Sequence, residues 1–333
     1  MKLSIVIIVL IVLTGICIFA LKTNAGPSLH KQTRFLMDTY CTIQVYGSSS
    51  ETEAAMAAAL DRIEEIDKKF NFLNPSSPLY AFNLKNTPIN DPEIIGLIKV
   101  AQKVSEQSDG VFDITVQPLV ELWGFYSQSL HVPKKKEIAD CLKKIGYKNL
   151  IIQDNQVRSR KSGIRIDLGG IAKGYALGEA LKVLKTYGVD SALIDAGGDI
   201  YVAGKIKGGN WTIGIRNPRG EGDIGVLQVS DLAVVTSGDY ERFFIQDGIR
   251  YCHIMDPHTG YPPQDVISVT IVCDDPVLAV AWTKPLFLLG VEGMKLVEEI
   301  PNMEAIVVTA DKKIVCSAGL MKALVYDKKD LVE

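Results

Sequence analysis

The sequence predicts an α+β fold, with mixed sheets and packed helices in one compact catalytic domain behind an apolar leader. Three observations lead there. Short strand-like segments outnumber long helical ones and do not alternate with them as a strict βαβ repeat would. From about Gly26 onward no proline-rich linker, charge block or internal repeat divides the chain, so its elements share a core. The length of 333 residues and a hydrophobic content of 47% supply enough apolar surface for that core.

Taken in order, the first element is the leader. Lys2 precedes an unbroken apolar stretch from Leu3 to Leu21, about long enough to span a bilayer and longer than the usual roughly 7–15-residue h-region. Residues 1–25 are therefore expected to be a signal peptide or membrane anchor, with Thr23-Asn24-Ala25 offering a cleavage site, and residues 26–333 the catalytic domain. Leu13-Thr14-Gly15-Ile16-Cys17 departs from a lipoprotein signal, because Ile16 and not a small residue precedes Cys17.

Thr39 to Tyr46 alternates as a strand does, and Glu51 to Phe70 is amphipathic at helical spacing. Asn71 to Asn83, with Pro75, Ser76, Ser77 and Pro78, is expected to be a loop. A second helix runs from about Pro92 to Ser108 and ends at the Asp109-Gly110 turn. Gly163 to Asp167 is expected as a short strand, Gly169-Gly170 as a turn, and Ile171 to Tyr187 as a helix closed by Gly188. Strands follow at Ala192 to Asp195, Ile200 to Ala203, Trp211 to Arg216, Leu227 to Val229 and Val266 to Val272. Helices complete the chain at Val277 to Leu289, interrupted by Pro285, and at Met294 to Glu299.

Composition narrows the function. The 36 basic and 39 acidic residues leave a net charge of -3, without the basic stripe or interleaved aromatics of a nucleic-acid binder. Outside the leader, Cys41, Cys141, Cys252, Cys273 and Cys316 are scattered without metal-ligand spacing, and their odd number argues for buried thiols over a disulfide framework.

Chemistry concentrates in three glycine turns and one histidine. In Asp167-Leu168-Gly169-Gly170-Ile171-Ala172-Lys173-Gly174 the glycines clear a helix N-terminus, where unpaired N–H groups and the dipole attract an anion, and Lys173 lies one turn in. Neither GxxxxGK[ST] nor GxGxxG spacing is present, so neither common nucleotide fold is indicated. Gly197-Gly198-Asp199 and Thr236 to Glu241 form the second and third turns. His253, one of only four histidines, stands before Met255-Asp256-Pro257-His258-Thr259-Gly260, and is the leading general base, with Asp256 placed to orient it or bind a cation.

These blocks resemble the ApbE family of FAD:protein FMN transferases, also described as flavin-trafficking lipoproteins. The resemblance rests on Met37-Asp38-Thr39-Tyr40, on Phe112-Asp113-Ile114-Thr115-Val116 with Pro118-Leu119-Val120 and Leu122-Trp123-Gly124-Phe125, and on Asp167 to Tyr175. It continues through Gly197-Gly198-Asp199, Thr236 to Arg242, and His253 to Gly260. It implies an ApbE-like, T-fold-related architecture and FAD as the substrate. It places Met37, Leu73, Val111, Phe112, Asp113, Asp167, Lys173 and Met255 around the FAD, Leu73 aligning where relatives carry an aromatic. The implied reaction is attack of an acceptor protein's threonine hydroxyl on the FMN phosphorus with loss of AMP, aided by His253. The implied acceptor motif, D-G-x-T-G-[AS]-T, is absent from this chain, so the partner is another protein, expected outside the cytoplasmic membrane in an exported or membrane redox complex.

The resemblance also implies Mg2+ held near Gly170 and by a late helix reading A-D-A-[LW]-[AS]-T. Here that helix reads Ala279-Val280-Ala281-Trp282-Thr283-Lys284. Val280 has no side-chain ligand for a hard cation, Thr283 is the neighbouring hydroxyl, and Lys284 stands at the matched threonine position, where its ammonium could occupy the cation site. Two alternatives stay open: a metal-dependent FAD pyrophosphatase giving FMN and AMP, or a non-catalytic FAD-binding protein.

Overall fold

The computed structural model describes residues 28–323, apart from 48 and 128. The expected leader lies outside the described residues. An eight-stranded sheet forms the centre, with every neighbouring pair antiparallel. In spatial order it contains β1 (Ser28–Leu36), β2 (Thr39–Gly47), β5 (Ala192–Ala196), β6 (Ile200–Ala203), β9 (Leu232–Gly238), β12 (Val266–Cys273), β13 (Met303–Thr309) and β14 (Ile314–Cys316). β1 and β2 close a hairpin through Met37 and Asp38, both left-handed at φ 53 and 59. That turn twists with the strands, and it is a conformation more usual for Asn-Gly. The Met37 N–H is held there by Asp67 Oδ2 at 2.9 Å.

One face of the sheet is covered by α1 (Ser49–Phe70), α6 (Ala172–Thr186) and α7 (Pro276–Leu289), whose apolar stripes enter the main core. Ile63, Ile66, Leu177, Ala180, Val280 and Trp282 are buried there, as the amphipathic spacing of α1 and the near-continuous apolar run of α7 require. The opposite face packs on the hairpin of β7 (Trp211–Arg216) and β8 (Asp223–Val229), so the sheet is sandwiched. A third cluster gathers Leu119, Trp123, Ile138 and Met255, with Tyr251 and Tyr261 against it. It joins α4 (Gln117–Leu122), α5 (Lys135–Leu142), and the hairpin of β10 (Phe243–Gln246) and β11 (Ile249–Cys252).

Three helices start the same way. Ser77, Asp91 and Asp275 cap α2 (Pro78–Lys85), α3 (Pro92–Gln107) and α7, each followed by proline in the first turn. The cap oxygen accepts an otherwise orphaned N–H, and proline has none to lose there. The expectation of a loop through Asn83 is thus corrected: Pro78 begins a helix. Pro285 does not interrupt α7, which runs continuously through it, because packing on β9 and β12 holds the turn together. The segment from Gly163 to Asp167, expected as a strand, joins no ladder, and Gly163 lies in a turn at φ 84. Its polar backbone is satisfied singly, Ile166 N donating to Asn83 Oδ1 and Asp167 N to the Ile114 carbonyl. A two-stranded ribbon of β3 (Leu150–Gln153) and β4 (Gln156–Ser159) precedes it.

The approach of α6 to α7 fixes the geometry of the site. A Cβ on Gly174 would lie 2.1 Å from the Pro276 carbonyl oxygen, so only glycine permits this crossing. The described cysteines are all free thiols, Cys316 half-buried and the others buried. Burial pushes Cys41, Cys252 and Cys273 up to about 11, which keeps them unreactive.

Candidate active site

A cleft of about 670 Å³, including solvent at its mouth, opens where the third cluster meets the N-terminal end of α6. Its lining is in part apolar, from Val111, Phe112, Val116, Val120, Ile254 and Met255, and in part polar, from Asp167, Gly169, Gly170, Arg242, His253 and Lys284. Of the residues expected around FAD, Val111, Phe112, Asp113, Asp167 and Met255 therefore come together, with His253, Gly170 and Lys284 among them.

The tight Gly110-Val111-Phe112 turn delivers the apolar wall. Ser108 Oγ receives the Phe112 N–H at 3.1 Å, and Gly110 takes φ 78. Asp113 follows, but its carboxylate faces its own loop. Oδ1 accepts from Thr115 N at 2.7 Å and Thr115 Oγ1 at 2.6 Å, and Oδ2 accepts from Tyr147 N at 2.7 Å. Burial pushes the Asp113 carboxyl up and these hydrogen bonds oppose it. Both carboxylate oxygens are thus engaged within the protein, in a residue that lines the cleft.

Asp167 ties the glycine turn together, Oδ1 accepting from Gly169 N at 2.7 Å and Oδ2 accepting from the Tyr126 hydroxyl. Gly170 is bare for a reason: a Cβ there would meet Phe112 Cε2 at 3.3 Å and Lys284 Cε at 3.9 Å. No side chain caps the first turn of α6, which leaves backbone N–H groups at that end.

His253 is oriented by Arg242, not Asp256. Its Nδ1 donates to the Arg242 carbonyl at 3.3 Å, so in the neutral ring Nε2 carries the lone pair. Burial, then the Arg242 cation, push the imidazole down to about 3. Asp256 instead closes its own turn, accepting from His258 N at 2.8 Å and Thr259 Oγ1 at 2.9 Å.

Several expected residues stand outside the cleft lining. Leu73 is 60% exposed, in a turn where its N–H donates to Asn71 Oδ1. Its neighbour Phe72 packs edge-on against Tyr126, ring centroids 5.0 Å apart, and Tyr126 borders the cleft. After the first long helix it is thus Phe72 that reaches the cleft border, through Tyr126, while Leu73 stands apart from the lining. Met37 packs beside the core at the β1–β2 turn. Lys173 is paired with buried Asp199, Nζ to Oδ2 3.0 Å, and that carboxylate raises its pKa. Arg242 and Tyr126 were missed as cleft residues. Arg242 closes the Thr236 to Arg242 block already singled out, so its basic side chain beside three donors was the available signal.

The donor set does not fit a magnesium ion. Val280 is 1% exposed, its side chain in the core. Thr283 Oγ1 donates to the Val280 carbonyl at 2.8 Å and accepts from Ser237 Oγ at 2.9 Å and Lys284 Nζ at 3.0 Å. A hydroxyl has one proton and two lone pairs, and all are used. Lys284 Nζ also donates to the Val280 carbonyl at 3.1 Å. Among the described residues no three His, Cys, Asp or Glu side chains converge as a metal cluster, whereas magnesium requires oxygen ligands, usually carboxylate.

A central antiparallel sheet backed by helices, with a cleft that mixes apolar residues with Asp167, Arg242, His253 and Lys284, defines the chain as an α+β protein with a partly charged site. The ApbE family model matches residues 37–307, and the chain belongs to the ApbE family. It is 30% identical to the FAD:protein FMN transferase of Treponema pallidum over 91% of either chain. It is 36% identical to the Klebsiella pneumoniae FAD:protein FMN transferase over 68% of this chain and 72% of that one. Among solved structures, the ApbE protein of Thermotoga maritima superposes with a TM-score of 0.83 at 36% identity, covering 89% of this chain and 99% of that one. The flavin transferase ApbE of Vibrio cholerae superposes with a TM-score of 0.81 at 25% identity, covering 90% and 100%.

Proposed function

We propose that this protein transfers the FMN moiety of FAD to a threonine hydroxyl of an acceptor protein, releasing AMP. The observation that carries the reading is the position of His253: a neutral imidazole, its Nδ1 committed to the Arg242 carbonyl, bordering the same cleft as the apolar lining and the cations Arg242 and Lys284. The isoalloxazine ring suits the apolar side chains of Phe112, Val111 and Met255, and the diphosphate suits the cations Arg242 and Lys284.

The threonine Oγ attacks the FMN phosphorus, and the bond from that phosphorus to the bridging oxygen breaks, its electron pair leaving with AMP. The hydroxyl proton passes to His253 Nε2 and onward to solvent or the departing phosphate. An imidazole held at about 3 is a weak base in the free protein. The diphosphate's negative charge offsets the Arg242 and Lys284 cations and raises that basicity when substrate is bound. Because the His253 ring is fixed through Nδ1, Nε2 needs no reorientation during the step. Thr283 and Lys284, which stand at expected magnesium-ligand positions, are spent on each other and on the Val280 carbonyl.

Residues 1–25 serve, in this reading, to carry the domain across the cytoplasmic membrane, retained as an anchor or removed. The acceptor is a protein of an exported or membrane redox complex bearing D-G-x-T-G-[AS]-T. The test incubates the full chain, in mild detergent, with FAD and such an acceptor. Covalent flavin fluorescence on the acceptor with stoichiometric AMP supports the reading. AMP with free FMN makes the protein a pyrophosphatase, water having replaced the hydroxyl, and neither product makes it an FAD-binding protein.

A further inference from the structure

Lys284 is an unusual residue for the middle of α7. Its neighbours Ala281, Trp282, Thr283 and Pro285 are buried, and its own side chain reaches the cleft beside Gly170. The ammonium is held at two oxygens of its own helix, the Val280 carbonyl at 3.1 Å and Thr283 Oγ1 at 3.0 Å. Ser237 on β9 braces that hydroxyl in turn at 2.9 Å. An ammonium has three N–H donors, so two fix its position and one is left for a ligand. The surrounding charges are mixed. Asp199 and Asp167 attract it while Lys173 and Arg242 repel it, and Asp199 is already paired with Lys173. An anion entering between Gly170, Arg242 and Lys284 would relieve the repulsion among the cations.

We propose that the Lys284 ammonium is this protein's built-in cation for the FAD diphosphate, standing where a divalent ion would otherwise sit, so that FAD binding here has no metal requirement. The inference rests on the reading of the cleft as an FAD site. Val280 and Lys284 act together: an apolar side chain at 280 removes the carboxylate that would draw a divalent ion, and the ammonium at 284 repels one from the oxygens it occupies. A point charge on a tether polarises the phosphate without bridging two oxygens, and Arg242, which lines the same cleft, supplies the second contact.

The experiment uses the full chain in detergent and reads binding separately from turnover. FAD affinity is measured by flavin fluorescence in excess EDTA and in millimolar MgCl2, and divalent binding by the EPR signal of free Mn2+. The expected result is a wild-type FAD affinity that agrees within about twofold between the two buffers, with no stoichiometric Mn2+ bound. Lys284→Met should weaken FAD binding by about tenfold or more, the size of one charge-assisted hydrogen bond, and Lys284→Arg should recover part of it. The double variant V280D/K284T should bind one Mn2+ and acquire a magnesium-dependent FAD affinity. Stoichiometric Mn2+ in the wild type, or an FAD affinity that collapses in EDTA, overturns the proposal even if Lys284→Met fails to fold. Metal-independent FAD binding without FMN transfer would leave this inference standing and remove the transferase reading, whereas no FAD binding in either buffer removes the cleft assignment on which both rest.

Discussion

Gly174→Ala and Gly178→Ala are the same substitution one turn apart on α6, and they should shift stability in opposite directions. In a helix interior, alanine is favoured over glycine by about 1 kcal/mol. At Gly178 nothing opposes this, since the nearest atom to a new Cβ is Pro276 Cγ at 3.6 Å, an ordinary contact. At Gly174 the new Cβ would lie 2.1 Å from the Pro276 carbonyl oxygen, 2.7 Å from its carbon and 2.8 Å from Val277 Cα. These are backbone atoms that no rotamer change can move aside, so α6 and α7 must part by about 1.4 Å to restore contact near 3.5 Å. Overpacking of this kind costs about 3 kcal/mol, leaving about 2 kcal/mol of net destabilisation after the propensity gain. At about 2–4 °C per kcal/mol for a domain of this size, calorimetry should show Gly174→Ala lowering Tm by about 4–8 °C and Gly178→Ala raising it by about 2–4 °C. Because the Gly169-Gly170 turn leads directly into α6 and α7 carries Lys284, Gly174→Ala should also weaken FAD binding in the fluorescence titration. Equal Tm values for the two variants would refute the claim that this helix contact is closed by glycine.

Four further outcomes are expected. His253→Ala should lower the rate of FMN transfer by about 10²–10⁴-fold while changing FAD affinity little, and loss of affinity without loss of rate would remove its role as base. In the free protein the His253 ring should stay neutral well below pH 6.5, since it is pushed down to about 3. An NMR titration of its Cε1 proton showing a midpoint near 6.5 would contradict the burial argument. Burial alone would raise the Glu93 carboxyl, but hydrogen bonds from Lys69, Tyr175 and Arg62 outweigh it and hold it at about 2, below its usual 4.5. A depressed carboxyl contributes stability that is present above its unfolded value and lost as pH falls through its folded one. Glu93→Gln should therefore destabilise by up to about 3 kcal/mol at pH 7 and by progressively less between about pH 4.5 and 2, measured by urea denaturation. Phe72→Ala should weaken FAD binding, because the ring supports Tyr126, whereas Leu73→Ala should leave the affinity unchanged within error; the reverse order would restore Leu73 as the contact.

Local signals in the sequence were enough for the long helices and the turns. The 3.6-residue spacing of α1, the Asp91-Pro92 start of α3 and the Gly169-Gly170 start of α6 are written in neighbouring residues, and the structure keeps all three. The strands were less legible. β13 is a run of mostly buried apolar residues at the sheet interior, and such a run has no period to distinguish it from a helix. β1 alternates exposed and half-buried polar residues, and its partner strand, not its composition, makes it a strand.

Residue types that line the cleft were likewise legible in the sequence alone: the Gly169-Gly170 turn, one histidine near a strand end, and a lysine where the family's pattern has a threonine. What each group does was decided by the tertiary structure. His253 takes its orientation from the carbonyl of Arg242, eleven residues away; Asp113 turns both oxygens on Thr115 and Tyr147. Thr283 is saturated by groups from two elements. The physical reason is the same in each case: a polar atom's function depends on which of its donors and lone pairs remain unused, and backbone groups and neighbours distant in sequence use them up only when the chain is folded.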